Sequence, residues 1–256
     1  MTLTVSLTGA DGVVAATDSR GTFGDPRAVT AQNDTMQKLY DVSSHVVVTV
    51  AGTAELGSQL MLQLQSEIGG RGLDGVTPVM DLVREQTRAR FAEWFPGWQV
   101  QQSQQPVPPV RPDLAMIVTG YDRVEDRFGE PKTYQLLAGY DFAPMLSGHG
   151  FALQGVPQYA LYLLNRLYVP EATTEELMAL AAYVITETAS QDGKVGGPVQ
   201  MACIRPTEGC RILAETEIEE VISSNAKRSE RLRASFFATS GTKRPARRPR
   251  RTAAST

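Results

Sequence analysis

The sequence predicts an α+β protein in which antiparallel sheets pack together and helices lie outside them. Three observations carry that expectation. Strand-like alternation starts the chain, the apolar period turns helical in two separate pairs of segments, and strand patterns return between and after those pairs. The order is therefore strands, two helices, strands, two helices, strands, helix. Such blocks argue against a doubly wound parallel sheet, which needs strict alternation of strand and helix. With 256 residues, 42% of them hydrophobic and 21% charged, the chain can bury a substantial core.

The elements follow in order. In "MTLTVSLTGADGVVAATDSR", Leu3, Val5 and Leu7 fall on one face of a strand and Thr4, Ser6 and Thr8 on the other. Asp11-Gly12 supplies a hairpin turn into a second strand ending near residue 19. "SSHVVVTVAG" (43–52) reads as a strand covered on both faces, with His45 as a satisfied core histidine. From Thr53 the spacing of Leu56, Leu60, Leu64 and Ile68 is helical until "GGRG" stops it. A second helix starts at Thr77, read as its N-cap, with Pro78 at the first helical position. A polar, proline-rich connection (96–112) leads to strands near 113–120, 132–139 and 143–147. One helix covers about 156–168, with Pro157 in its first turn, and another starts at the capping box Thr173-x-x-Glu176. "PVQMACIR" and "CRILAE" form a last hairpin. The terminal helix carries Glu215, Glu217, Glu219 and Glu220 early and Lys227, Arg228, Arg231 and Arg233 late, as the helix dipole favours. The expected organisation is one domain over 1–238 and a basic, Pro/Arg-rich disordered tail over 239–256.

Composition narrows the chemistry. Two cysteines, Cys203 and Cys210, have no metal spacing and are too few for a disulfide framework, so a reducing, cytoplasmic setting is expected. No stretch approaches the roughly 18 apolar residues of a membrane span, and no export signal stands at the start. No phosphate loop or dinucleotide fingerprint appears, no zinc-ligand spacing, and no Gly-x-Ser-x-Gly elbow. No metal and no cofactor is expected. Only two histidines are available, His45 and His149 in "SGHG", which leaves little material for histidine-based catalysis. What remains is a threonine nucleophile that uses its own α-amine as base. An α-amine titrates near pH ~8, so part of it is neutral near pH 7. Removal of Met1 alone would make Thr2 the first residue.

The opening block "TLTVSLTGADGVVAATDSR", Lys38, "VAGTAE", "LSGHG" and "QDGKVGGPVQMACI" together resemble the catalytic β-subunits of the proteasome. They also resemble the bacterial peptidase of the same Ntn-hydrolase fold. The resemblance covers about residues 2–215 and implies a four-layer αββα sandwich of two antiparallel sheets flanked by helices. It further implies a threonine-dependent endopeptidase that works inside a homo-oligomeric ring on polypeptide substrates, with an ATP-driven unfoldase as a conceivable partner. Carried over by position, Thr2 resembles the nucleophile and Asp18 the buried carboxylate that pairs with Lys38. The lysine would ease formation of the alkoxide. Gly52 resembles the residue whose backbone N–H faces the developing oxyanion. Ser147 and Asp192 resemble the pair that orients the terminal amine. Gly21, Met36, Tyr40, Val50 and Ala54 resemble the residues that bind substrate; none is charged, so an apolar or small neutral side chain is the expected preference.

The chain departs from the family's pattern in three places. The loop around "FGDPRA" is enlarged, Val195 stands where serine is common, and neither the 96–112 connection nor the tail has a counterpart. Two rival readings stay open: an Ntn amidase acting on small amides, and a noncatalytic ring or scaffold protein of the same fold. The tail sequence "TKRPARRPRRTAAST" (242–256) holds six basic residues and no acidic one. Taking those six charges from the overall −3 leaves −9 on the rest. The tail is expected to be a solvated extension rather than a nucleic-acid-binding arm.

Overall fold

In the computed structural model of the chain the described residues are 2–24, 30–96, 112–125 and 127–237. The tip of the enlarged loop (25–29), most of the proline-rich connection (97–111) and the basic tail lie outside the described residues.

The first hairpin forms where the alternation predicts it: β1 (Leu3–Thr8) pairs antiparallel with β2 (Val13–Thr17), and Gly9 N–H bonds back to the Gly12 carbonyl at 2.8 Å. A short ribbon, β3 (Gly21–Gly24) with β4 (Thr30–Asn33), fills the enlarged segment. β5 (Leu39–Ser43) and β6 (Val46–Gly52) follow, then α1 (Ala54–Arg71) and α2 (Val76–Trp94). The chain returns through β7 (Leu114–Val124), β8 (Arg127–Leu137), the short β9 (Met145–Leu146) and β10 (Phe151–Gly155). Next come α3 (Pro157–Leu167) and α4 (Thr174–Gln191), the hairpin of β11 (Gln200–Arg205) with β12 (Gly209–Ile212), and the long α5 (Glu215–Phe237).

The strands form two five-stranded antiparallel sheets, ordered β10-β1-β2-β11-β12 and β5-β6-β7-β8-β9. Leu3, Val5 and Leu7 pack against α3, α4 and α5 residues such as Leu164, Leu177, Ile185 and Ile218. Val46, Val48 and Val50 pack against α1 and α2 through Leu60, Leu64, Val79 and Phe91. A smaller apolar cluster, including Val13, Ala15, Val47 and Ile204, lies between the sheets. The layers therefore run helix, sheet, sheet, helix, and the α+β sandwich of two antiparallel sheets is the observed fold.

The polar face of β1 does not meet water. Thr4 Oγ1 donates to Thr49 Oγ1 at 2.6 Å, Ser6 Oγ donates to Thr119 Oγ1 at 3.1 Å, and Thr119 and Thr133 hydroxyls lie 2.7 Å apart. All five side chains are buried. Hydroxyls that satisfy one another offset the desolvation cost of a polar face between sheets.

Two local expectations need correction. Thr77 does not cap α2; Gly75 does, and the Thr77 side chain instead donates to Asp122 at 2.6 Å while its N–H donates to the same carboxylate at 2.8 Å. A carboxylate from β7 thus satisfies the helix start that a local cap would otherwise serve. His45 lies in the turn before β6, half-buried, stacked 3.7 Å from the Phe128 ring and 3.1 Å from the Pro206 carbonyl. By contrast the Thr173–Glu176 capping box and Pro157 at the start of α3 stand as read. No helix among the described residues is long and apolar enough to cross a membrane.

Candidate active site

Thr2 precedes β1 and is 4% exposed. Period-two alternation puts it on the same face as Thr4 and Ser6, toward the second sheet. Its carbonyl accepts the Val156 N–H at 2.9 Å. Gly155 lies against it at φ +101°, where a Cβ would collide with that carbonyl, so only glycine lets β10 approach here.

Asp18 leaves the end of β2 and is fully buried. Its carboxylate accepts from Lys38 Nζ at 2.9 Å, from the backbone N–H groups of Leu3 and Gly196 at 3.0 Å each, and from Arg20 N–H at 3.3 Å. One side chain therefore joins the β1 start, the "GG" loop and the lysine. Lys38, with its side chain 5% exposed, also donates from Nζ to the Arg20 carbonyl at 2.6 Å. Two of the three ammonium protons are thus used. Burial draws the Lys38 ammonium below its ordinary value, against the Asp18 charge that pulls it back up. Burial likewise pushes the Asp18 carboxyl up, against Lys38 and the two backbone donors. A desolvated ammonium of this kind exchanges a proton more readily than a lysine in water.

Gly52 ends β6 at φ +106°, and a Cβ there would meet the Asp113 carbonyl. It lines one narrow cleft, about 240 Å³ of empty space, together with Thr2, Met36, Lys38, Tyr40 and Val50. Five sequence-designated neighbours of Thr2 are thereby gathered at the edge where β1, β5 and β6 meet. Gln37, Ala51 and Ser58 also line the cleft, and no sequence signal marked them. The Tyr40 hydroxyl donates to the Gln37 carbonyl at 2.9 Å, and burial pushes its pKa up. Ala54 opens α1 two residues past Gly52.

The remaining designated residues sit otherwise. Gly21, at the start of β3, does not line this cleft. The Ser147 hydroxyl donates to the Phe151 carbonyl at 2.7 Å, closing the turn into β10. Asp192 ends α4 and accepts the Lys194 N–H at 2.9 Å. These contacts are turn chemistry rather than contacts with Thr2. Val195 is fully buried in the core beneath the sheet, so the position offers no hydroxyl to the terminus. His149 is exposed. Two residues that the sequence did not single out hold the frame. Arg20 grips Asp34 through two bonds of 2.7 Å and reaches the Gly193 carbonyl at 3.2 Å, tying the β3–β4 ribbon to the loop before β11. Gln200 bonds the backbone around Lys38. Among the described residues no group of His, Cys, Asp and Glu could hold a metal ion, and Cys203 and Cys210 are both free.

Comparison with known proteins meets this geometry at its centre. The sequence model of the Proteasome family (proteasome subunit) matches residues 2–73, the segment that supplies Thr2, Asp18, Lys38 and Gly52. Over that segment the chain is similar to proteasome subunits. The proteasome-like chain is 26% identical over 242 residues to a proteasome subunit beta of Streptomyces griseus, covering 89% of this chain and 76% of that one. It is 27% identical over 232 residues to proteasome subunit beta 2 of Thermomonospora curvata, covering 84% and 72%. Among solved structures it shares its fold with an Anbu chain from a helical assembly of Pseudomonas aeruginosa, at TM-score 0.70 and 19% identity over 95% of this chain and 98% of that one. Anbu of Yersinia bercovieri, described as an ancestral beta-subunit, matches at TM-score 0.69 and 15% identity, over 95% and 100%.

Proposed function

We propose that the proteasome-like chain is a threonine-dependent endopeptidase. The observation that carries this reading is the cleft that Thr2, Lys38 and Gly52 share, with Lys38 held on a buried Asp18. With Met1 removed, the Thr2 α-amine takes the hydroxyl proton as Oγ1 attacks the scissile carbonyl. The Gly52 N–H and the Lys38 ammonium stabilise the oxyanion and the developing alkoxide; one such donor is typically worth about 3–4 kcal/mol. The amine passes its proton to the leaving amino group, an ester on Thr2 forms, and water hydrolyses it. Met36, Tyr40 and Val50 give the cleft an uncharged wall, which suits a small or apolar side chain beside the scissile bond.

The reading extends to one domain over 1–238 followed by a tail, a homo-oligomeric ring that encloses the sites, polypeptide substrates, an ATP-driven unfoldase as feeder, and a cytoplasmic location. Likeness to Anbu chains, one of them from a helical assembly, supports self-association. Ser147 and Asp192 belong to the same reading as the pair that orients the terminal amine. The test is mass spectrometry after exposure to a threonine-directed epoxyketone, which needs both a free hydroxyl and a free amine. Loss of Met1 with the adduct on Thr2, absent in Thr2→Ala, is the expected result. Met1 removed but Thr2 unlabelled by several epoxyketones favours the scaffold rival. Activity on small amides by an unassembled chain favours the amidase.

A further inference from the structure

Lys38 has four rotatable side-chain bonds, so a fixed ammonium needs a fixed backbone as well as a fixed Nζ. Asp18 and the Arg20 carbonyl hold the far end. The near end is held from another strand altogether. Gln200 opens β11, opposite Thr17 of β2, so both side chains stand on the face toward the second sheet. From there its Oε1 accepts the N–H of Lys38 at 3.0 Å and of Leu39 at 3.2 Å, while its Nε2 donates to the Met36 carbonyl at 2.7 Å. The Lys38 carbonyl accepts the Val50 N–H at 2.9 Å. One amide thus grips both ends of the segment that carries a cleft-lining residue, Met36, and the lysine.

We propose that Gln200 is the positioning residue of this site, fixing the Met36–Leu39 backbone so that the Lys38 ammonium stays between Asp18 and the Thr2 cleft. The inference rests on the threonine chemistry proposed above. It has a physical need behind it. The segment precedes β5, and outside the Gln200 amide its backbone-to-backbone bonds among the described residues are the Met36 N–H to the Ser19 carbonyl at 3.1 Å and the Lys38 carbonyl to the Val50 N–H. That leaves the Lys38 and Leu39 N–H groups and the Met36 carbonyl to Gln200. A glutamine is suited to the task because it offers an acceptor for two N–H groups and a donor for one carbonyl at once.

Two substitutions separate positioning from mere structure. Gln200→Leu keeps the volume and removes all three bonds; Gln200→Glu keeps the acceptor for the Lys38 and Leu39 N–H groups but turns a carboxylate oxygen against the Met36 carbonyl and adds a charge. With folding checked by the urea midpoint, Gln200→Leu should lower kcat for a fluorogenic peptide about 100-fold, the scale of an ångström-sized misplacement, and alter the pH profile. Gln200→Glu should recover most of kcat while raising KM, since the Met36 wall is what it releases. In ¹⁵N-lysine-labelled protein the Lys38 ammonium resonance and its titration should change in Gln200→Leu, and in Gln200→Glu the added carboxylate should shift the titration upward. Parent-like kcat and Lys38 titration in folded Gln200→Leu overturns the proposal. A parent that neither cleaves peptide nor labels on Thr2 overturns the peptidase reading instead, and the Lys38 titration still decides the clamp.

Discussion

Removing the Asp18 charge is the sharpest test of how the site is held. In Asp18→Asn the carboxylate that accepts from Leu3, Gly196, Arg20 and Lys38 becomes an amide with one oxygen. Its NH2 must face two of those donors, either Leu3 and Lys38 or Arg20 and Gly196. Lys38, 5% exposed, is left with the Arg20 carbonyl and no counter-charge. Breaking a buried pair by removing one partner typically costs about 3–5 kcal/mol. An orphaned buried N–H costs about 1–3 kcal/mol more by itself. The two overlap, because the same amide causes both, so a total near 4 kcal/mol is expected, a large share of the ~5–15 kcal/mol that holds a domain together. Adding Lys38→Met on this background removes the stranded ammonium and should recover about 1–4 kcal/mol, while Thr2 labelling stays lost in both variants. Urea unfolding at pH 7 reads the stabilities, and an unchanged m-value keeps the comparison two-state. An Asp18→Asn loss under ~1 kcal/mol, or no recovery with Lys38→Met, would refute the argument that this pair is buried and mutually dependent.

Two further outcomes follow from other parts of the molecule. Gly155→Ala should destabilise the chain and abolish epoxyketone labelling together, because its Cβ meets the Thr2 carbonyl and must push β10 from β1; Gly193→Ala, at a glycine with open space around it, serves as the control. At Asp122 burial acts to raise the pKa, but the Lys132 and Thr77 hydrogen bonds win and hold it below its ordinary value. A depressed folded pKa contributes stability that is present above the unfolded value of ~3.9 and lost as pH falls through the folded one. Urea midpoints from pH 6 to 2.5 should therefore fall less steeply in Asp122→Asn than in the parent, and parallel curves would remove Asp122 from the acid response.

Much of the site was legible because its chemistry is local or carried by motif. The Leu3–Val5–Leu7 alternation, the Thr173–Glu176 box and the "GG" loop each declare themselves within a few residues, and Asp18, Lys38 and Gly52 stand in a recognisable order. Polarity was legible only as polarity. Thr4 and Ser6 read as the polar face of a strand, and nothing local shows that Thr49, Thr119 and Thr133 lie opposite them on other strands. Thr77 looked like a cap because serine and threonine usually are; Asp122 from β7 took the helix N–H instead. Ser147 had a hydroxyl at the family's position, and the nearest acceptor, the Phe151 carbonyl, engaged it.

By itself the sequence determined the α+β class, the two pairs of helices and the hairpins, and it named the groups proposed here for threonine chemistry, because period and residue type act over short distances along the chain. Only the tertiary structure decided which of those groups meet. Lys38 lies beside Asp18 and Thr2 through strand register. Ser58 enters the cleft because α1 packs over β6. Gln200 reaches Lys38 because β11 joins β2. Each such meeting depends on how whole strands and helices pack, and its free energy comes from burying the interface rather than from any residue that could announce it.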